Sequence, residues 1–133
     1  MRAIMPAPAA LTALAALTAL AACSSSQPPR TPTPMVPAGD PVNCITTSQI
    51  RSTNVIDDQT IDFRMRNGQV LRNTLPNRCP GLGFNRAFSH DTRSSRLCSV
   101  DIITVVETGA GPRRGASCGL GQFVPVKPAE AAK

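Results

Sequence analysis

The side chains able to do chemistry in this chain are few. They are five cysteines (Cys23, Cys44, Cys79, Cys98 and Cys118), a single histidine (His90), the aspartates Asp57, Asp58 and Asp62, and a set of arginines. Ser89-His90-Asp91 carries the three side chains of a hydrolase triad. Consecutive residues do not converge as a triad must, because its geometry is set in space rather than along the chain. Asp57 and Asp58 are adjacent, so on a strand they would point to opposite faces. Aspartate is also a standard turn former, and turn chemistry is the expected role of this group. Gly81-Leu82-Gly83 lacks the context of a phosphate loop. The sequence therefore predicts no catalytic residue, no cofactor and no metal.

Four of the cysteines, Cys44, Cys79, Cys98 and Cys118, lie in the region with the most β character. An even number in a small exported chain implies disulfides. Zinc is disfavoured because no Cys-x-x-Cys pair occurs and the gaps are too long and even. Four cysteines allow three pairings, which the sequence leaves open. The expectation is Cys44–Cys118, tying the first element to the last, with Cys79–Cys98 closing the middle.

The formal net charge is +6. Setting aside Arg2, the remainder has 13 basic and 8 acidic residues, near +5, and eleven of the thirteen are arginine. Arginine suits bidentate contacts to phosphate and carboxylate. The candidate anion-binding residues are Arg64, Arg66 and Arg72, sharing the polar side of a hairpin, and Arg113 and Arg114, at the tip of a loop. The competing expectation is ordinary solubilising charge. Nucleic acid is not an expected partner, since the chain has no Trp or Tyr to stack on bases.

The chain begins with one basic residue, Arg2, then an Ala/Leu run from Ala9 to Ala22. Such a run reads as a secretory signal and is too short to cross a bilayer, which takes about 20 apolar residues. It ends Leu20-Ala21-Ala22-Cys23, which resembles the lipobox of bacterial lipoproteins. The resemblance implies cleavage before Cys23, a diacylglyceryl thioether on its sulfur and an acylated amino terminus. Two or three chains anchor stably where one holds only marginally. Ser24 follows, without the aspartate associated with inner-membrane retention. The implied location is the outer membrane, facing the periplasm.

Residues 24–41 hold six prolines and almost no large apolar side chain. Such a segment cannot bury enough surface to offset its ordering entropy and reads as an extended tether. The organisation expected is a signal peptide over 1–22, a lipidated Cys23 with its tether to 41, a four-cysteine β domain over 42–124 and a frayed tail over 125–133. A domain of that size has a marginal core and benefits from covalent staples.

Within it, Thr60–Arg66 alternates polar and apolar, placing Ile61, Phe63 and Met65 on one face. Asn67-Gly68 is a strong hairpin signal. A two-residue turn would oppose Phe63 to Arg72, whereas a loop one residue longer, with Gly68 in a bulge, opposes it to Leu71. The second keeps apolar against apolar and is preferred. Asn54-Val55-Ile56 reads as a preceding strand, with a turn over Asp57–Gln59. Leu97–Val106 reads as one central strand, 109–115 as a loop, and Cys118–Val124 as a last strand weakened by Gly119 and Gly121. Pro80–Ser89 holds at most a helical turn near Asn85–Phe88. The fold class expected is mainly β, a small antiparallel sheet or barrel-like domain stapled by two disulfides.

Cys44-Ile45, the Val55–Leu75 hairpin pattern, Cys79-Pro80-Gly81-Leu82, Leu97-Cys98 and the late Cys118 together resemble a family of uncharacterised proteobacterial exported proteins. That resemblance lends no activity. The functional expectation is a non-catalytic envelope lipoprotein whose domain binds or inhibits an envelope component. One alternative is a structural protein held to anionic lipid or cell wall by arginine. The other is a small hydrolase or redox enzyme using His90, the aspartates or a reducible cysteine pair.

Overall fold

The computed structural model describes residues 34–91 and 93–130. The signal segment and Cys23 lie outside the described residues. The domain is mainly β, in antiparallel sheets with two disulfides, as the sequence predicts. Among the described residues no helix is long and apolar enough to cross a membrane.

The largest sheet has five strands: β1 (Met35–Pro37), β3 (Ile50–Val55), β4 (Thr60–Met65), β5 (Val70–Thr74) and β10 (Phe123–Pro128), in the order β1-β10-β5-β4-β3. Its centre is the β4–β5 hairpin, with Phe63 opposite Leu71 in the register preferred from the sequence. The loop has three residues, Arg66, Asn67 and Gly68. The Met65 N–H donates to the Gln69 carbonyl at 2.8 Å, and Gly68 adopts φ 87°. Only glycine takes that angle without strain. The Asn67 Oδ1 accepts the Gln69 N–H and braces the turn.

Alternation on β4 sends Ile61, Phe63 and Met65 into the core and Asp62 and Arg64 to the outer face. Phe63 meets Phe123 edge-on at 5.3 Å and Phe88 at 6.3 Å, so one side chain joins β4, β10 and the second layer. That layer holds the short pair β2 (Cys44–Thr46) with β7 (Arg96–Cys98), and the sheet β6 (Phe88–His90), β8 (Ile102–Glu107) and β9 (Arg113–Gly119) in the order β6-β8-β9. Its buried contributions are Ile45, Leu97, Ile103 and Val105, joined by Leu82 from the one-turn helix α1 (Leu82–Asn85).

The disulfides are Cys44–Cys98 and Cys79–Cys118, which corrects the expected pairing. Cys44 stands directly opposite Cys98 in the β2–β7 ladder, with Cα atoms 4.0 Å apart. Cys79 lies just before α1, and its Cα is 5.8 Å from that of Cys118 on β9. The pairing follows strand neighbours in space, which sequence order does not encode.

Several boundaries also differ. The run Leu97–Val106 is two strands. It breaks after Cys98, where the Asp101 N–H donates to the Cys98 carbonyl and Asp101 Oδ2 accepts the Cys98 N–H at 2.6 Å. An aspartate closing its own turn outcompetes the β propensity around it. Arg113-Arg114-Gly115 begins β9 instead of belonging to a loop, and the last strand starts at Phe123 instead of Cys118. The helical turn lies earlier than expected, and Phe88 opens β6. Both flanks read as unstructured carry strand: β1 lies in the segment assigned to the tether, and β10 runs to Pro128 in the segment assigned to the tail. Proline lacks an N–H, but its carbonyl still accepts. The Pro125 carbonyl takes the Ala38 N–H and the Pro34 carbonyl takes the Ala129 N–H, each at 2.7 Å.

Asn73 closes the sheet onto the chain that precedes β10. It is fully buried opposite Ile61 and Phe123. Its Oδ1 accepts the Gly121 N–H at 2.9 Å and its Nδ2 donates to the Gly121 carbonyl at 2.7 Å. A Cβ at Gly121 would overlap the Thr74 carbonyl oxygen.

Candidate functional site

The outer face of the five-stranded sheet gathers most of the hairpin arginines. Arg72 stands opposite Asp62 across the β4–β5 ladder. It holds the carboxylate with two bonds, Nε to Oδ1 at 2.8 Å and Nη2 to Oδ2 at 2.9 Å. The pair is mostly shielded, with side-chain exposures of 27% and 8%. The bond to Asp62 raises the Arg72 pKa further above its ordinary value, against a smaller opposing effect of burial. Arg72 is thus committed inside the protein.

Arg66 also departs from the expected shared face. It sits in the hairpin loop, and its Nε donates to the Ser48 carbonyl at 2.8 Å. Arg113 and Arg114 lie on the other sheet, opposite Glu107 and Val106, so the structure does not bring them together with the hairpin arginines. Arg64 is the one predicted residue left exposed on the outer face with no hydrogen bond or ion pair among the described residues.

A residue not singled out from the sequence joins it. Between Ile50 and Ser52 the β3–β4 register shifts, so Arg51 is an extra residue against β4. Such a bulge re-aims a side chain. Arg51 and Arg64 line one hollow of ≈ 400 Å³ with Ser52, Gly68 and Val70. Arg51 is likewise exposed and without a partner among the described residues. The only hint in sequence was the run Arg51-Ser52-Thr53-Asn54, too polar for a central strand; the bulge itself left no mark.

That hollow continues into a groove of ≈ 630 Å³ over the same face, sharing Arg64, Gly68 and Val70. Met35, Ile56, Val70 and Pro128 supply apolar wall, and the Asp62–Arg72 pair lies in the lining. The arrangement offers two available guanidinium groups beside an apolar surface. Chemically it suits binding of an anion attached to something apolar.

The aspartates do what turns require. Asp57 Oδ1 accepts the Gln59 N–H at 2.8 Å. Asp58 Oδ1 accepts the Gly83 N–H, and its Oδ2 pairs with Arg78, both at 2.8 Å. The Gly83 bond leads in pulling the Asp58 pKa below the ordinary carboxylate value; partial burial opposes it and Arg78 adds to it. Asp58 therefore ties the β3–β4 turn to α1. His90 is on β6, opposite Ile103, and exposed. Among the described residues no group of three or more His, Cys, Asp or Glu is placed to hold a metal.

Fold and site together define a small disulfide-stapled antiparallel β domain with an arginine-bearing open face. The chain belongs to a family of unknown function, DUF6491, whose model matches residues 5–133. Comparison with curated proteins and with solved structures found no match.

Proposed function

We propose that the chain is a lipid-anchored envelope protein whose four-cysteine domain is a non-catalytic module that binds or inhibits an envelope component. The leader ending Leu20-Ala21-Ala22-Cys23 supports export and acylation of Cys23. One observation carries the binding role: Arg51 and Arg64 line one hollow, uncommitted, and Arg64 also lines the open groove with apolar walls that adjoins it. Anionic neighbours in an envelope are phospholipid head groups, lipopolysaccharide phosphates and peptidoglycan carboxylates.

The test is in-cell crosslinking of the tagged, acylated protein, followed by identification of what co-purifies. A discrete component lost in Arg51→Gln/Arg64→Gln, with the protein still at its normal level, is the expected result. Recovery unchanged in that variant would remove the groove from the reading. Mass spectrometry of the mature amino terminus tests the anchor separately: a Cys23 bearing diacylglycerol on its sulfur and an acyl chain on its amino group is expected, and an unmodified terminus elsewhere overturns it.

A second reading rests on a different observation. Phe84 is 89% exposed on α1, although its neighbour Leu82 is fully buried. Its frame is fixed by the Cys79–Cys118 disulfide and by the bond from Gly83 to Asp58. A rigid, projecting aromatic with Arg113 beside it is the kind of anchor that fills a pocket on a protein partner. Loss of the crosslinked component in Phe84→Ala, but not in the double arginine variant, would favour it.

A further inference from the structure

We propose that the outer face of the five-stranded sheet docks on the anionic phospholipid surface of the leaflet that holds the anchor, with Arg51 and Arg64 meeting lipid phosphates. The proposal rests on the lipid-anchored reading above and names the partner of that site. Three observations carry it.

The first is charge. Of the arginines on and around this face, Arg72 is neutralised by Asp62 and Arg66 is bonded to the Ser48 carbonyl, whereas Arg51 and Arg64 have no partner among the described residues. Their shared hollow is open where Gly68 stands, since a Cβ there would meet nothing within 4 Å. A head group can therefore approach without displacing a side chain. Guanidinium groups form paired bonds with phosphate oxygens, the chemistry an anionic bilayer surface presents in quantity.

The second is the apolar surface beside that charge. Met35, Ile56, Val70 and Pro128 line the groove with Arg64, and Arg51 lines the hollow that adjoins it; Ile56 is 44% exposed. A surface that is cationic in one part and apolar in the next matches the boundary between head groups and acyl chains.

The third is where the chain enters. Pro34, the first described residue, lines this same groove, and β1 follows at once. Because β1 belongs to the sheet, the linker from Cys23 to Pro34 is only residues 24–33. Fully extended, it reaches roughly 30 Å at about 3.1 Å per residue. An anchor so close, attached at the edge of the cationic face, raises the effective concentration of membrane at that face. Two arginines near an anionic leaflet then favour the docked state by roughly thirty-fold, and salt should weaken it.

The test uses the mature, acylated protein isolated from its own membranes and reconstituted in two kinds of vesicle, phosphatidylcholine alone and phosphatidylcholine with phosphatidylglycerol. Arginine reactivity with phenylglyoxal is read site by site by mass spectrometry. The expected result is labelling of Arg51 and Arg64 slowed about ten-fold or more in the anionic vesicles and restored by high salt. Arg113 and Arg114 should be unaffected. Equal labelling of Arg51 and Arg64 in both vesicles overturns the proposal, as does uniform slowing of all four. Protection by inorganic phosphate in phosphatidylcholine vesicles, matching that by phosphatidylglycerol, also overturns it and makes the site one for the free ion. In any of these failures, a discrete component still captured through Arg51 and Arg64 in the crosslinking experiment leaves the binding-module reading standing.

Discussion

The five-stranded sheet and the layer packed on it are stabilised in different ways. The sheet contains no cysteine; its strands β3, β4 and β10 each have six residues, and it supplies Ile61, Phe63, Leu71 and Phe123 to the core. The second layer includes β2, β6 and β7, each only three residues long. Both disulfides lie in this layer or in the loop leading to α1. Where strands are long enough to alternate and pack, burial and register suffice. In the other layer a covalent bond limits the unfolded chain: Cys44–Cys98 clamps two three-residue strands, and Cys79–Cys118 ties the loop before α1 to β9. Removing an aromatic should therefore damage the sheet most, and removing a disulfide should damage the other layer.

The largest effect is expected from Phe63→Ala, which empties the contact shared with Phe88 and Phe123. It should lower stability by about 3–5 kcal/mol in denaturant titration. A loss under about 1 kcal/mol would mean the sheet does not depend on its aromatic centre. Next, Cys79→Ser/Cys118→Ser, which opens a loop of separation 39, should cost about 2–5 kcal/mol. Amide exchange would show whether the loss is concentrated in α1 and β9, as the comparison requires, or spread equally over β4 and β5.

Asn73→Ala follows, at about 2 kcal/mol, because it leaves both polar groups of the half-buried Gly121 without their partner. Arg72→Gln should cost about 1–2 kcal/mol, less than a fully buried pair because Arg72 is partly in solvent. The smallest effect belongs to Asp58. Its folded pKa is lowered, so its contribution is complete above the unfolded carboxyl pKa and fades as the pH falls through the folded value, below about 4. Protection of the Gly83 amide, relative to its intrinsic exchange rate at each pH, should fall over that acid range, and Asp58→Asn should abolish that pH dependence. A β5 amide that changed in parallel would show that the two regions open together.

Much of the sheet was legible because its determinants are local. Alternation from Thr60 to Met65, the Asn67-Gly68 turn and the requirement that Phe63 meet Leu71 all act within a span of sixteen residues, Thr60 to Leu75. What failed was decided over longer distances. Pro125 and Pro128 argue against a strand in isolation, yet β5 and β1 on either side of β10 give it acceptors and donors. The Leu97–Val106 run looked continuous because propensity does not register that Asp101 turns back on Cys98. The candidate site was half legible. Arginine content and the hairpin located Arg64, but the commitment of Arg72 and Arg66 and the arrival of Arg51 depend on partners across strands.

By itself, then, the sequence determined the β class, the central hairpin and its register, and the use of four cysteines in two disulfides. Those follow from side-chain alternation, turn chemistry and cysteine number, which are properties of neighbouring residues or of composition. Tertiary structure alone decided which cysteines meet, that both proline-bearing flanks become strands, and which arginines remain available. These outcomes depend on which strands lie side by side, since a disulfide, a ladder bond or an ion pair forms between neighbours in space.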